Sequence, residues 1–264
     1  MKEKYGFLPT SVWDIGRSKK WKRVLPRDPG DPRETTRRSA NCKYLPSLPF
    51  SKYNPDVAER VVRYWSEVGD TVVDPFAGRT TRGAVCIYLG RNYVGYEVAP
   101  RTFDLLNRQL RQVPNPIDGI KGDFTVFLSD GCKLEYSEDN SADLIYTCPP
   151  YHNLERYESA PNQLSDIKHY GDFLKRIEEC ASNCYRVLKA RHFLVWHCAD
   201  WRKNKQLIDF SSDSIRIFTD AGFQLWDKVI YKLRSPFAWT QISKCDRMKY
   251  TSKSHEYLLV FKKV

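Results

Sequence analysis

Three acidic side chains stand where β-branched or aromatic runs end. Asp74 follows Thr71-Val72-Val73, Glu97 follows Asn92 to Tyr96, and Asp130 follows Thr125 to Leu128. A fourth such run, Ala142 to Tyr146, leads into Thr147-Cys148-Pro149-Pro150-Tyr151. Glu97 lies 23 residues after Asp74, where a carboxylate can accept hydrogen bonds from both hydroxyls of a ribose. Asp130 is placed to meet an adenine amino group. After Asp74, Gly78 lets backbone approach a ligand closely, and the next helix offers free N–H groups at its amino end. Each acid alone also suits a helix cap or a turn; their recurrence at consecutive strand ends points to a nucleoside site. In the fourth loop, two prolines remove backbone donors and stiffen the chain, so its carbonyls can face inward as acceptors. Tyr151 adds a flat ring for stacking.

The elements that must hold these groups alternate. Apolar spacing predicts helices over 56–65, 84–89, 100–112, 171–188 and 212–221, with Pro55 opening the first and Gly222 stopping the last. Strands are predicted at 71–73, 92–96, 125–128, 142–146 and 193–197, with 223–233 and 257–261 closing as an antiparallel pair. Strand and helix in this rhythm imply a doubly wound α/β sheet, whose ligands bind outside the carboxyl ends of the strands.

The 264 residues carry a net charge of +11, and two segments hold all of the excess. Residues 17–38 have nine Lys/Arg against three acids, and residues 228–253 have seven against Asp246 alone. Such runs suit solvated loops, or arms that grip a phosphate backbone with Trp21, Phe237 and Trp239 stacking on bases. With 14% aromatic residues, wholesale disorder is excluded. No apolar run is long enough to cross a bilayer and no signal segment opens the chain. Eight cysteines without a Cys-x-x-Cys, and His192 and His197 without a partner at zinc-module spacing, argue for reduced, buried thiols in a cytoplasmic protein and for no metal site.

Asp74-Pro75-Phe76-Ala77-Gly78 with Thr80-Thr81, followed by Pro149-Pro150-Tyr151, resembles the two signature motifs of the DNA amino-methyltransferases. That resemblance spans about residues 46–263, includes the closing strand from Ser254 to Lys262, and is nearest to phage- or prophage-type members. It implies a Rossmann-like fold dependent on S-adenosylmethionine (SAM), and methyl transfer to an exocyclic amine of a flipped base in DNA. Tyr53-Asn54-Pro55 resembles the segment that closes over the methionine end of SAM. The expected cofactor-binding residues are therefore Tyr53, Asn54, Asp74, Pro75, Phe76, Ala77, Gly78, Thr80, Thr81, Glu97 and Asp130. The expected catalytic residues are Thr147, Cys148, Pro149, Pro150 and Tyr151. An exocyclic amine is a weak nucleophile because its lone pair is delocalised, and acceptors around the NH2 favour a more tetrahedral nitrogen.

The chain departs from the family pattern twice. Thr80 stands where members usually have a second glycine, and Cys148 stands where they have Asp, Asn or Ser. Cys resembles Ser in size, which favours N4 of cytosine as the target, with N6 of adenine as the alternative. An RNA methyltransferase and a catalytically silent DNA-binding protein of the same fold remain the other readings. Covalent attack on C5 of cytosine by Cys148 is disfavoured, since those enzymes carry Pro-Cys. Residues 1–45 are expected to form a basic arm and 46–264 the catalytic domain, with DNA-contacting loops at about 152–170 and 234–253. Candidate contacts are Lys19, Lys20, Lys22, Arg23, Arg37, Arg38, Arg234, Lys244, Arg247 and Lys249, with Gln241 as a further base reader. Tyr157, His169 and Tyr170 are candidates for stacking against an extruded base. Monomer and dimer are both open.

Overall fold

The computed structural model describes residues 7–26, 53–117, 119–152, 157–203, 205–233 and 242–264. Val72 and Val73 show how its layers arise. Neighbours on β2 (Thr71–Asp74), they point to opposite faces of the sheet, and both are buried. Val72 packs into the core beneath α1 (Pro55–Trp65), α2 (Thr81–Tyr88) and α3 (Pro100–Arg111). Val73 packs beneath α4 (Tyr170–Val187) and α5 (Phe210–Asp220). A strand covered on both faces needs apolar residues on both, so β2 lacks the apolar–polar alternation of a half-exposed strand.

Each helix supplies the matching stripe. α1 buries Val57, Ala58, Val61, Val62 and Trp65, while α4 buries Phe173, Ile177, Cys180, Ala181, Cys184 and Val187. Pro55 occupies the first turn of α1, and the Asn54 carboxamide oxygen accepts from Asp56 N at 3.0 Å.

The main sheet has eight strands in the order β4-β3-β2-β5-β6-β10-β9-β1. The other ranges are β1 (Val12–Trp13), β3 (Asn92–Glu97), β4 (Phe124–Leu128), β5 (Ala142–Thr147), β6 (Leu188–Cys198), β9 (Phe223–Lys232) and β10 (His255–Lys263). β4 through β6 pair in parallel, whereas β10 runs antiparallel to both β6 and β9. A separate antiparallel pair, β7 (Trp201–Lys203) and β8 (Gln206–Ile208), lies outside this sheet, and α6 (Ile242–Met248) precedes β10. The expected doubly wound sheet with its antiparallel pair is present. From β2 the chain winds outward to β3 and β4, and then returns to β5 on the other side. The loops after β2 and β5 therefore flank a topological switch point, where such sheets bind ligands.

The leader differs from the reading of its charges. β1 pairs in parallel with β9, and a 3₁₀ turn at Lys20–Arg23 lies against α1. Trp21 is not a free stacking surface, because it is only 2% exposed, stacks edge-on against Tyr88 and donates its Nε1 to Glu59. Lys20 is ion-paired with Glu59. An apolar residue within a basic run was buried by the apolar groove it faces. The seven described cysteines are all free, five of them buried. Among the described residues no helix is long and apolar enough to cross a membrane, and no cluster fit to hold a metal occurs.

Candidate active site

A cleft opens at the switch point. Pro75, Phe76 and Gly78 from the loop after β2 face Cys148, Pro149, Pro150 and Tyr151 from the loop after β5. Glu97, Val98 and Ala99 after β3 close one side with Asp130 and Gly131 after β4, and Tyr53 contributes from the residue before the α1 cap. The two sequence motifs, separated by 73 residues, thus meet across one cavity.

Two glycines shape its walls. Gly78 adopts φ +52°, a left-handed turn that aims its N–H at Glu97 Oε2, 3.1 Å away. Gly131 passes so close to the loop after β2 that a Cβ there would sit 1.7 Å from the Pro75 carbonyl oxygen. Gly131→Ala should therefore push the two loops apart. It should cost at least about 1–3 kcal/mol of stability, read as a lowered denaturation midpoint, together with weakened cofactor binding.

Glu97 is the most strongly perturbed acid of the cleft. Burial pushes its carboxyl up to about 7, although the N–H groups of Ala99 and Gly78 pull it back in part. Asp130 also lines the cleft, but Arg176 holds its Oδ2 at 2.5 Å and Cys132 N donates to its Oδ1 at 3.0 Å. The segment after Tyr151 returns over the opening, where Tyr157, Asn162, Gln163 and Leu164 complete the lining. It is strapped down by Glu158, whose carboxylate accepts from Thr102 N at 3.3 Å in the first turn of α3.

Several expected site residues do something else. Asp74 does not line the cleft: it is fully buried and saturated with donors. Arg82 Nε lies 2.7 Å from its Oδ2, Tyr93 donates to the same oxygen at 3.0 Å, and Thr147 Oγ1 donates to Oδ1 at 2.6 Å. Thr147 is likewise spent on Asp74 and lies behind the catalytic loop. Asp74 thereby ties the loop after β2, the start of α2 and the end of β5 into one rigid base. Asn54 caps α1, donates to Tyr231 Oη at 2.9 Å and does not line the cleft. Ala77 is buried, with its N–H on Tyr96 O at 2.9 Å. Thr80 precedes α2, turns its hydroxyl to Gln109 and is buried with Thr81 away from the cleft. The position of the missing second glycine thus accepts a β-branched residue, because its backbone is αR and its side chain docks on α3.

Tyr170 is not available to an extruded base either. It donates to Asp213 Oδ2 at 2.7 Å and stacks on Phe173. Tyr157, by contrast, reaches the cleft. Tyr151 packs edge-on against Trp201, with Lys253 Nζ 5.8 Å from its ring centre. The second basic segment therefore ends beside the loop after β5. Lys19, Lys22, Arg23, Arg247 and Lys249 are exposed; Arg37, Arg38, Arg234, Phe237, Trp239 and Gln241 lie outside the described residues, as does the side chain of Lys244.

The residues not anticipated are Arg82, Gly131, Gln163, His197 and Glu256. Arg82 lines the cleft and lies under the Tyr53 ring, 5.1 Å from its centre. Its signal was only that of a basic residue eight positions after Asp74.

Comparison with known proteins follows the same lines. A Type II methyltransferase, M.HinfI of Haemophilus influenzae, is 43% identical over 60 residues, which are 22% of this chain and 17% of that protein. The orphan methyltransferase M.BamHII of Bacillus amyloliquefaciens is 29% identical over 125 residues, or 47% of this chain and 40% of that protein. The chain thus spans less than half the length of these relatives. A SAM-dependent methyltransferase of Methanosarcina mazei has a similar fold, with a TM-score of 0.53 at 12% identity over 77% of this chain and 97% of that one. The family model described as DNA methylase matches residues 3–108 and 142–264, covering both cleft loops, the leader and the closing strands, and the chain belongs to that family.

Proposed function

We propose that the protein transfers a methyl group from SAM to the exocyclic amine of a base in DNA, with N4 of cytosine as the target. The observation that carries this reading is the meeting of Gly78 and Glu97 with Pro149, Pro150 and Tyr151 across a single cleft. The donor set fits the cofactor. Glu97 is a buried acceptor for ribose hydroxyls, Val98, Ala99 and Leu164 give apolar walls for a flat base, and Tyr53 and Arg82 bound the end nearest Cys148. SAM, when bound, supplies the electrophilic methyl. The prolines present carbonyl acceptors to the amine, and Tyr151 provides a rigid ring against which the base lies. The limited bulk of Cys148 leaves room for the smaller pyrimidine.

The direct test is incubation with radiolabelled SAM and duplex DNA or RNA, followed by digestion to nucleosides. Label in N4-methylcytosine supports the proposal, and label in N6-methyladenine or in RNA corrects the target. DNA binding without any label would defeat the enzymatic reading.

Glu97 gives the cofactor site a pH signature. With its carboxyl titrating at about 7, the charged acceptor is present above that pH and lost below it. The Kd for SAM should rise by about tenfold per pH unit as pH falls below 7, and calorimetry from pH 5.5 to 8 measures it. Glu97→Gln should bind weakly and without this dependence. The unliganded fold should show the opposite sign, because a raised carboxyl favours folding at low pH and loses that contribution as pH rises through 7.

A further inference from the structure

Behind the cleft wall, three polar side chains follow one another through the interior. Tyr53 lines the cleft, and its hydroxyl accepts from Tyr146 Oη at 2.7 Å. The same Tyr53 hydroxyl is hydrogen-bonded to His197 Nδ1. His197 is 3% exposed, and its Nε2 lies 2.9 Å from Glu256 Oε2. The Glu256 side chain is 22% exposed, so the series that begins at the cleft ends at solvent.

Strand geometry fixes this arrangement. His197 on β6 pairs with Leu258 on β10, which places Glu256 diagonally across on the same face. Tyr146 lies on the adjacent strand β5. The donor directions are set by the partners. Tyr146 donates to Tyr53 and Tyr53 donates to the unprotonated Nδ1, while Nε2 stands in a close charge contact with the Glu256 carboxylate, off the line of a hydrogen bond.

Methylation of an exocyclic amine leaves one proton too many on nitrogen, and the described cleft has few groups able to take it. Arg82 is charged and committed to Asp74, Asp130 is paired with Arg176, Glu97 is held by Gly78 N and Ala99 N at the proposed ribose end, and prolines carry no titratable group. We propose that Tyr53, His197 and Glu256 form the route by which the target amine loses its proton. This rests on the methyltransferase reading above.

As the amine lone pair forms the N–C bond, the S–C bond breaks and its electron pair stays on sulfur. The displaced amine proton passes to the Tyr53 oxygen while the Tyr53 hydroxyl proton passes to His197 Nδ1. The imidazolium so formed is balanced by Glu256, whose carboxylate turns to take the Nε2 proton and passes it to water at its exposed end. Tyr53 thus serves as a conduit and never as a free phenolate, in keeping with the upward push that burial gives its hydroxyl. Burial also pushes the Glu256 carboxyl up. The close contact and charge of His197, with Lys253 and His255, outweigh it and hold the group below the usual carboxylate range. The other groups facing His197 are the Tyr231 ring from β9, 5.9 Å away, and, beyond Tyr53, the Arg82 guanidinium from α2.

The test is the single-turnover rate of methyl transfer to duplex DNA from pH 5 to 9, measured beside SAM binding for each protein. The wild type should lose rate toward the acid end, because the route needs an unprotonated Nδ1. Tyr53→Phe and His197→Gln should each lower the rate at saturating SAM by about 10²-fold or more and abolish that limb. Glu256→Gln should also lower the rate, because the imidazolium loses its counter-charge and its proton acceptor; this variant covers the case in which His197→Gln does not fold. A folded His197→Gln or Tyr53→Phe protein with the wild-type pH profile would overturn the route while leaving the methyltransferase reading intact. Absence of transfer by the wild type would overturn both.

Discussion

Replacing Tyr151 by alanine should reduce methyl transfer by at least about two orders of magnitude while leaving SAM affinity within severalfold of wild type. The ring is held from behind by Trp201, whose centre is 5.7 Å away, and Lys253 lies over it. A side chain braced in this way is pre-positioned, and removing it leaves a base that enters the cleft without a surface to lie on. Because the proposed cofactor contacts lie chiefly around Gly78, Glu97 and Ala99, binding and transfer should separate in this variant. Tyr151→Phe should retain most of the activity, since stacking does not require the hydroxyl. Single-turnover label transfer and calorimetric SAM binding check the two halves. Equal losses in both would show that Tyr151 belongs to the cofactor site.

Asp74→Asn should be the most destabilising single change near the cleft, by about 3–5 kcal/mol in a urea or thermal titration. The substitution preserves shape but removes the negative charge from a site that is fully buried. It strands the Arg82 guanidinium, whose side chain is 8% exposed, without a counter-ion. The carboxamide also presents a donor where Tyr93, Thr147 and Phe76 N all need an acceptor. Activity should fall as well, because Thr147 and the loop behind Pro149 lose their anchor. Restoring neutrality with Asp74→Asn and Arg82→Met together should recover part of the stability, as expected when a buried pair is replaced rather than broken.

The helices and parallel strands were legible in the sequence because each carries a strong local pattern. The 3.6-residue stripe of α1 and the short β-branched run of β2 leave little alternative. The meeting of Gly78 with Pro149-Pro150-Tyr151 was legible too, because the strand rhythm places both at one end of the sheet. The role of Asp74 was not, since it depends on Arg82, Tyr93 and Thr147 converging from three different elements. Asn54 shows a role that local physics alone supplies. An Asn before Pro at a helix start is a cap, and likeness to a ligand-closing segment obscured it. Trp21 was misread because charge dominated its neighbourhood, whereas burial is decided by what a residue packs on. His197 and Glu256 stand 59 residues apart, and only the register of β6 against β10 brings them together.

The edge pairing of β1 has a consequence for how the chain acquires its shape. Val12 and Trp13 pair with Ile230 and Tyr231, more than two hundred residues later, and β9 itself is held in the sheet by β10. On the ribosome, β2 to β6 can pair as they emerge, but the leader's docking site is incomplete until β9 and β10 have been made. Throughout synthesis the β1 backbone at Val12 and Trp13 therefore remains unpaired, although Trp13 and Trp21 can already pack on Trp65 and Tyr88, and the basic stretch beside it keeps that nascent segment hydrated and self-repelling. Long-range closure of this kind slows folding and lengthens exposure to misassembly. The leader's positive charges then serve the growing chain before they serve any ligand.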